Sequence, residues 1–331
     1  MSAPLWLALL LLARPAPPEW LDRQVKALCE SAPQLHYRLA GRSPEGRPIP
    51  LAIATARPQA IEQQLRLLVV AGQHGDESSP SHAALLWLRQ AAITESFERV
   101  AVLLLPLVNP DGQAVARRHN GRGHDLNRDW GARSQPETAL VQRVFNRWKP
   151  HVVLDIHEFD GLVGGRRAEP DWLEMLQTGT APELDAITSG LQRALVARQA
   201  EVGESLRPVV TTPGNSALTL CHRHFAAAHR AVALLSETGD GRPDPAARLL
   251  SLLVAELNAR AAVWKPRLDR LRSLESWRAP RELVPPAAPA PPRRRSSPPV
   301  PPPPRPILLG LACYALAMVS GIKLRDDSAD S

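Results

Sequence analysis

Short apolar runs alternate with longer amphipathic segments along most of this chain. Several runs are apolar almost throughout, as expected of strands buried on both faces of a sheet: RPIPLAIAT, RLLVVAG, VAVLLLPLV, HVVLDIH and AVALLSE. The segments around them have the spacing of helices: EWLDRQVKALCE, SHAALLWLRQAA, PETALVQRVFNRW, APELDAITSGLQRALVARQA and PAARLLSLLVAELNARAAVW. This order predicts an α/β fold with helices on both faces of a central sheet.

The chain has 331 residues, enough for one sizeable domain with appendages. We predict that this domain spans residues 19–281. Residues 1–18 are apolar and then broken by prolines, a pattern typical of a signal peptide, and a buried N-terminal helix is the alternative. A proline-rich linker at residues 282–306 is expected to be extended, because its composition cannot build a core.

A hydrophobic tail follows the linker at residues 307–325. Its apolar run ends before Lys323 and is shorter than the roughly 20 residues that a membrane span needs. The tail is interpreted as a marginal membrane anchor or sorting tail, and a hydrophobic strap that docks on the domain is the open alternative. Together with the signal peptide, it predicts an exported protein, periplasmic or extracellular, that can associate with a membrane through this tail.

The formal net charge is +7 and the isoelectric point is near 10.0. Most of the positive charge is arginine scattered among acidic residues, and the tight cluster at residues 293–295 lies in the linker. The sequence lacks an aromatic-rich basic groove, so we predict no nucleic-acid partner. Cys29, Cys221 and Cys313 lack metal-binding spacing, and a disulfide between the first two is neither demanded nor excluded.

Polar residues gather at the ends of the predicted strands. His74 and Glu77 follow one strand in VVAGQHGDESS, and Asn109, His157 and Glu237 lie at or just past the ends of others. Ligands bind beyond the carboxyl ends of strands in open α/β sheets, so these residues are expected to meet at one rim. The plain alternative for the first pair is a polar turn that caps the next helix.

Two histidines and one carboxylate, with an open fourth position, are the ligand set of a catalytic zinc site. His74, Glu77 and His157 can supply this set. A separate carboxylate, Glu237, can serve as general base for a water molecule whose pKa the metal lowers.

Arginines of the segment ARRHNGRGHDLNRDW complete the pattern. Arg118 and Arg128 can hold anions, one the developing oxyanion and the other a substrate carboxylate, because guanidinium forks match carboxylate geometry.

Taken in order, these motifs resemble one family. HxxE, NPDG, R-x-N-x-x-G-x-D-L-N-R, a strand-end histidine and S-E-T-G follow one another as in the zinc metallocarboxypeptidases of the carboxypeptidase A type. The similarity is greatest to their compact bacterial branch, which includes murein-peptide amidases, and it covers residues 19–281. It implies a mixed, mostly parallel central sheet of about eight strands sandwiched between helices.

Carried over residue by residue, the resemblance implies that His74, Glu77 and His157 bind one zinc ion per chain. Glu237 matches the family's general base and proton shuttle. The resemblance therefore implies a zinc-dependent hydrolase that cleaves the C-terminal peptide bond with metal-activated water.

The resemblance also assigns the substrate-binding residues. Arg118 matches the arginine that polarises the scissile carbonyl, and Arg117 is a rival whose spacing fits the compact branch less well. Asn127 and Arg128 match the pair that binds the terminal carboxylate, so the expected partner is a peptide with a free C-terminal carboxylate. A murein-peptide amidase or an N-acyl amino acid deacylase would use the same site, and this alternative stays open.

Other polar residues near the motifs are interpreted as non-ligands. Glu158 should point to the opposite face of its strand from His157. His222 and His224 lie two apart in a predicted helix, a spacing that does not place them on one face. Asp155, two residues before His157, fits either an orienting role toward another histidine or a buried, hydrogen-bonded carboxylate.

The chain departs from the family in one respect. Pancreatic-type enzymes close over the substrate with a tyrosine before the general base, whereas this chain has no tyrosine between Tyr37 and Tyr314. Either another group replaces it or the pocket stays open. The residue that lines the specificity pocket also stays open, since Ala217 and His222 are both candidates and predict opposite preferences.

Overall fold

The computed structural model describes residues 17–94, 97–159, 162–163, 166–167, 170–213, 219–239 and 241–273. Residues 1–16 of the predicted signal peptide lie outside this part of the chain. The predicted linker, the hydrophobic tail and the predicted domain end near residue 281 lie outside it as well, so these predictions stay predictions.

The longer α-helices agree with the amphipathic segments of the sequence, whereas the short helix Pro110–Ala114 was not predicted. A proline in the first turn of several of them suits a position whose N–H has no partner within the helix. Their bounds are α1 Pro18–Ser31, α2 Ser79–Thr94, α3 Pro110–Ala114, α4 Pro136–Trp148, α5 Pro182–Glu201, α6 Cys221–His229 and α7 Pro243–Ser273. Short 3₁₀ turns occupy Ile61–Gln63 and Leu126–Arg128.

The strands form one large sheet and one small hairpin. The strands of the large sheet are β1 Leu35–Arg42, β2 Pro48–Ala54, β3 Leu65–Ala71, β4 Val100–Leu105, β5 Val152–Phe159, β8 Asp171–Leu176, β9 Leu206–Thr211 and β10 Val232–Gly239. The hairpin pairs β6 Leu162–Val163 with β7 Arg166–Arg167.

The large sheet has eight strands in the order β1-β2-β4-β3-β5-β10-β8-β9. The central neighbours β4, β3, β5 and β10 are parallel, and antiparallel pairing occurs at β1–β2, β2–β4 and β10–β8. The predicted mixed sheet of the α/β class is confirmed.

Helices cover both faces of this sheet. Alternate residues of β3 point to opposite sides, so Leu67 and Val69 pack with α1, α2, α5 and α7, whereas Leu68 and Val70 pack with α4 and α6. Burial on both faces explains why the central strands are apolar throughout.

Three strands of the large sheet, β1, β8 and β9, are absent from the set predicted from the sequence. β1 and β9 are the edge strands, and each has exposed positions along its length. β8 carries Asp171 and Glu174, whose charges interrupt an apolar pattern. β9 contains Pro208, which is tolerated at a sheet edge where its missing N–H is not needed.

The described residues also bear on the cysteines and on membrane-spanning helices. Cys29 and Cys221 are both buried free thiols, so the disulfide that the sequence left open does not form. In the described part of the chain, no helix combines the length and the apolar character that crossing a membrane requires.

Candidate metal centre and cleft

The carboxyl ends of β3, β5 and β10 bring the predicted site residues to one rim. Gly72, directly after β3, has a φ of 65°, and a Cβ there would lie 2.9 Å from the Leu107 side chain. Gly75 lies against the backbone of Gly112 and Arg117, where a side chain does not fit. Glycine at both positions therefore allows the chain to turn sharply after β3.

His74, Glu77 and His157 form a tight cluster at this rim. One ligand atom from each residue lies within 4.8 Å of the other two. Nδ1 of His157 is 2.9 Å from Oε2 of Glu77, and Nδ1 of His74 contacts Oε1 of the same carboxylate. Both imidazoles thus direct the same nitrogen toward one point, as ligands of a shared ion would.

Glu77 is held as a carboxylate. Burial by itself would raise its pKa, but the charges and hydrogen bonds of His157 and His74 outweigh burial and lower the pKa of Glu77. The backbone N–H of Glu158 also donates to Oε2 of Glu77, at 3.0 Å. The carboxylate is therefore fixed in position and ready to accept a cation.

The other ring nitrogen of His157 contacts a buried polar network. Nε2 lies 3.1 Å from the amide nitrogens of both Gln73 and Asn127, and 3.2 Å from Oδ1 of Asp155. Gln73 donates to Asp155 at 2.6 Å and accepts from the indole of Trp130 at 2.8 Å. These contacts fix the orientation of the ring, as the outer contacts of metal-binding histidines usually do.

Asp155 therefore lies beside His157 itself. Its contact is to His157 and not to another histidine, so the orienting interpretation named the wrong partner. The carboxylate is buried and hydrogen-bonded, as the other interpretation required.

Asp125 holds the second histidine and was not identified from the sequence. Its Oδ1 lies 3.0 Å from Nε2 of His74, and its Oδ2 accepts from Nε of Arg118 at 3.0 Å. Asp125 also caps the 3₁₀ turn by accepting from the N–H of Asn127. A carboxylate two residues before the predicted Asn–Arg pair was the available signal, because a metal-binding histidine needs such a partner.

Glu237 lies next to the cluster at the end of β10. It is in register with His157 of β5, and its carboxylate has no hydrogen-bond partner among the described residues. Burial raises the pKa of Glu237 to about 7, and the neighbouring His157 opposes that effect. A carboxyl group with this pKa can accept and release a proton near neutrality.

These residues face a cleft of about 760 Å³. Arg118 and Arg128 both line it, and Arg117 is exposed outside it, so the geometry favours Arg118 over its rival. Nη1 of Arg118 also lies 3.4 Å from Oε1 of Glu77.

The side chain of Asn127 has a different environment from the one its predicted role in substrate binding suggests. Its side chain is buried, with the amide nitrogen toward His157 and Oδ1 accepting from the N–H of Cys221 at 2.9 Å. Arg128 is exposed on the cleft, and its guanidinium donates to the carbonyl of Asn127. The predicted pair is thus together in the cleft, but only Arg128 presents free donors to it.

The residues interpreted as non-ligands lie outside the metal cluster. Glu158 points away from His157, and its Oε2 accepts from the N–H of Ser79 at the start of α2. His222 pairs with Glu174, and His224 pairs with Gln142. Ala217, the other candidate for the specificity pocket, lies outside the described residues.

Comparison with known proteins supplies independent information about the chain. Residues 21–164 match the zinc carboxypeptidase family model. Over 155 residues the chain is 28% identical to Carboxypeptidase 2 of Trichophyton rubrum, a match covering 44% of this chain and 29% of that protein. Over 76 residues it is 41% identical to Murein peptide amidase A of Escherichia coli K12, covering 23% of this chain and 30% of that protein. The chain spans less than a third of the length of these curated relatives.

Solved structures share the fold. A metallo-carboxypeptidase from Pseudomonas aeruginosa, in complex with (2-guanidinoethylmercapto)succinic acid, superposes with a TM-score of 0.63 at 22% identity. That match covers 78% of this chain and 70% of the other. A metallo-carboxypeptidase from Burkholderia cenocepacia gives a TM-score of 0.62 at 18% identity, covering 76% and 70%. The resemblance drawn from the motifs is confirmed: residues 21–164 match the zinc carboxypeptidase family, and the described fold is similar to that of metallo-carboxypeptidases.

Proposed function

We propose that this protein is a zinc-dependent carboxypeptidase that holds one zinc ion per chain at His74, Glu77 and His157. The donor set fits the metal, because two imidazole nitrogens and one carboxylate converge within 4.8 Å. The opposite nitrogens of both rings are occupied by fixed polar partners, as zinc-binding histidines require. The open cleft beside the cluster leaves room for water and substrate.

Bound at these residues, zinc would lower the pKa of a water molecule and polarise a carbonyl oxygen. Glu237 would accept a proton from a water molecule in the cleft, because it lies beside the cluster with a free carboxylate. Its pKa of about 7 in the protein allows it to pass the proton on to the leaving amine. Glu237 therefore acts first as general base and then as general acid.

Arg118 serves the carbonyl oxygen of the scissile bond. Its Nε is held by Asp125, and Nη1 reaches toward the metal cluster. A guanidinium fixed by a carboxylate is preorganised to stabilise the negative charge that develops on that oxygen.

Arg128 binds the terminal carboxylate of the substrate. It is exposed on the cleft, and a guanidinium matches a carboxylate in charge and geometry. In this proposal Asn127 has two roles: it holds His157, and it completes the carboxylate site next to Arg128. Binding of a free carboxylate in the same cleft as the metal cluster limits cleavage to the last peptide bond.

Two aromatic side chains of the cleft can take the place of the family tyrosine that this chain lacks. Phe159 and Trp172 line the cleft with ring centroids 4.6 Å apart, and the described part of the cleft has no tyrosine. Their rings can cover the apolar part of a bound residue, as the family tyrosine does in pancreatic-type enzymes.

The observation that carries this proposal is the meeting of three ligand atoms beside a partner-free Glu237. Glu237→Gln tests it, because the amide preserves shape but cannot accept the proton. The variant should bind zinc at the wild-type stoichiometry and lose about 10²- to 10⁴-fold in kcat. Near-normal turnover would remove Glu237 from the mechanism, and loss of zinc would show that it supports the metal instead.

The similarity to a murein peptide amidase favours a second candidate function for the same site. A panel of simple peptides, murein peptides and N-acyl amino acids separates the candidates by kcat/KM. Peptides should be the best substrates, and a strong preference for murein peptides or acyl amino acids would replace the first proposal with the second.

Export and tethering remain proposals that rest on the termini. We propose that residues 1–18 direct export and that residues 307–325 associate with the membrane. Fractionation of cells expressing the full chain, and chains lacking either segment, tests both. Release of the protein from membranes should require loss of the C-terminal segment only.

A further inference from the structure

A second cavity lies where three helices end, and it has no part in the proposed hydrolysis. It measures about 380 Å³, within the range of about 300–1,000 Å³ that small-molecule sites occupy. Its walls come from the C-terminal ends of α4, α6 and α7. We call it the basal cavity, and its lining includes Phe145, Asn146, Lys149, His229, Arg230 and Arg272.

The basal cavity lies at the opposite ends of β5 and β10 from the metal cluster. Lys149 lies just before β5, and Arg230 lies just before β10. The far end of β5 carries His157, which is about 17 Å from Val152 at about 3.3 Å per residue. A ligand in the basal cavity therefore does not need to touch the metal cluster or the cleft.

Three cations line the basal cavity, and its described lining residues include no carboxylate. Arg230 donates to the carbonyl of Leu271 at 2.6 Å. Arg272 donates through Nη1 to the carbonyl of Lys149 at 3.0 Å, and through Nη2 to that of Pro150. The ammonium group of Lys149 has no hydrogen-bond or ion-pair partner in the described part of the chain. Positive charge thus accumulates here without a neutralising group in the lining.

Part of the Arg272 guanidinium stays available to a ligand. The group lies over the Phe145 ring, 5.8 Å from its centroid, and this contact fixes its orientation. Each Nη nitrogen carries two N–H groups, and the carbonyl bonds account for one on each. The second N–H of each nitrogen has no acceptor among the described residues.

Arg272 remains charged at neutral pH. Burial and the neighbouring Arg66 lower its pKa to about 10. Asp269 opposes this effect, but its two oxygens are bound by His151 and Lys265. An incoming anion would therefore not have to displace a carboxylate from Arg272.

Two neutral donors complete the basal cavity. Oδ1 of Asn146 accepts from Nε2 of Gln142 at 2.9 Å, so the amide nitrogen of Asn146 is left to donate. The same Gln142 nitrogen donates to Nε2 of His229 at 3.2 Å. Burial, together with Arg272, lowers the pKa of His229 to about 4, so the neutral ring carries its proton on Nδ1. Ammonium, guanidinium, amide and imidazole donors together match an anion with several oxygens.

The backbone at two of the cations is a separate observation. Lys149 and Arg230 directly follow α4 and α6, with φ of 47° and 50°. Glycine is usual in this left-handed conformation after a helix, because a Cβ is disfavoured there. The helix dipole favours a cation at each helix end by itself. It does not require that both side chains line one cavity with Arg272, where the three charges repel one another.

We propose that the basal cavity binds a small phosphate monoester, with the phosphate at Lys149 and Arg272 and the organic group against Phe145 and Ala228. A phosphate dianion offsets the repulsion among the cations, and its three terminal oxygens can accept from several donors at once. Phe145 and Ala228 supply the apolar part of the wall.

Phenyl phosphate is the probe, and Lys149→Gly is the test variant. Glycine adopts the left-handed conformation freely, so this variant should fold with wild-type or higher thermal stability while it loses the ammonium group. Lys149→Arg keeps the positive charge. Arg143→Gln removes an exposed charge of α4 outside the basal cavity, and so controls for long-range electrostatics.

Calorimetry on the full-length, zinc-loaded protein gives the affinity for phenyl phosphate without any turnover, so the test is independent of the proposed reaction. Lys149→Gly should bind about 10- to 100-fold more weakly than wild type, because it loses a charge-assisted hydrogen bond. Lys149→Arg and Arg143→Gln should stay within about threefold of wild type.

Three outcomes would overturn the proposal. The first is the absence of saturable binding at millimolar phenyl phosphate. The second is binding that Lys149→Gly leaves intact, which would place the phosphate elsewhere, for example at the arginines of the cleft. The third is binding to vesicles of phosphatidic acid without binding of phenyl phosphate, which would make a lipid surface the source of the phosphate.

Discussion

At the scale of single residues, the metal cluster depends on side chains that do not touch the metal position. Asp125 binds His74 and Arg118 at once, and Gln73 and Asp155 lie against the far nitrogen of His157. Each imidazole is therefore held by hydrogen bonds before a metal arrives. Ligand orientation that is fixed in advance reduces the entropy lost on binding.

Replacing Asp125 tests this arrangement. Asp125→Asn should weaken zinc binding about 10- to 100-fold, because the amide supports the imidazole of His74 less well than a carboxylate does. Competition with a chromophoric chelator measures the affinity. Asp76→Asn is the control, since Asp76 is an exposed carboxylate between His74 and Glu77 in the same loop. Equal zinc affinity of Asp125→Asn and wild type would contradict the role of Asp125.

The proposed ligand residues were recognisable from the sequence, whereas of their partners only Asp155 was considered for a supporting role, and Gln73 and Asp125 were not. His74, Glu77, His157 and Glu237 follow apolar strands, and their residue types match a known chemistry. Glu174 gave no such signal, because its position in the cleft depends on β8, a strand whose charges hide its pattern. Hydrogen-bond partners that are distant in sequence depend on the folded geometry.

At the scale of elements, one carboxylate connects a strand to a helix. Oε2 of Glu158, near the end of β5, accepts the N–H of Ser79 at the start of α2, at 2.9 Å. A negative charge at a helix N-terminus is favoured both by the free N–H groups and by the helix dipole.

Two substitutions separate these contributions. Glu158→Ala should lower the free energy of unfolding by about 1–2 kcal/mol, because it removes both hydrogen bond and charge. Glu158→Gln should cost about half as much, since the amide oxygen can still accept. Urea unfolding measures both, and zinc content should stay at the wild-type level. Wild-type stability of Glu158→Ala would show that α2 does not need this contact.

Central and edge elements differed in how well the sequence predicted them. The buried strands β3, β4, β5 and β10 form apolar runs that can be identified from the sequence alone. The edge strands β1 and β9 mix exposed and buried positions, so propensity and pattern do not distinguish them from loops.

At the scale of the whole molecule, several histidines are buried in uncharged form. Burial lowers the pKa of His151 to about 3, of His224 to about 2 and of His229 to about 4. Their usual value is 6.5, so the unfolded chain binds more protons than the folded one below that pH. Stability should therefore be retained above pH 6.5 and lost as the pH falls toward 4.

His224→Asn tests this pH dependence. Each proton taken up on unfolding contributes about 1.4 kcal/mol per pH unit to the slope of stability against pH. Urea unfolding between pH 7 and pH 4 should show a shallower slope in this variant than in wild type. His119→Asn, which replaces an exposed histidine, should leave the slope unchanged. Identical slopes in wild type and His224→Asn would contradict the assignment.

Two peptides that differ only at the C-terminus distinguish a carboxypeptidase from an enzyme that ignores the terminal carboxylate. The zinc-loaded, full-length protein is incubated with a blocked peptide that has a free C-terminal carboxylate and with the same peptide amidated. Arg128 is positioned for a carboxylate, so the terminal residue should be released from the free peptide only. Equal cleavage of both peptides, or internal cleavage of either, would contradict a carboxypeptidase.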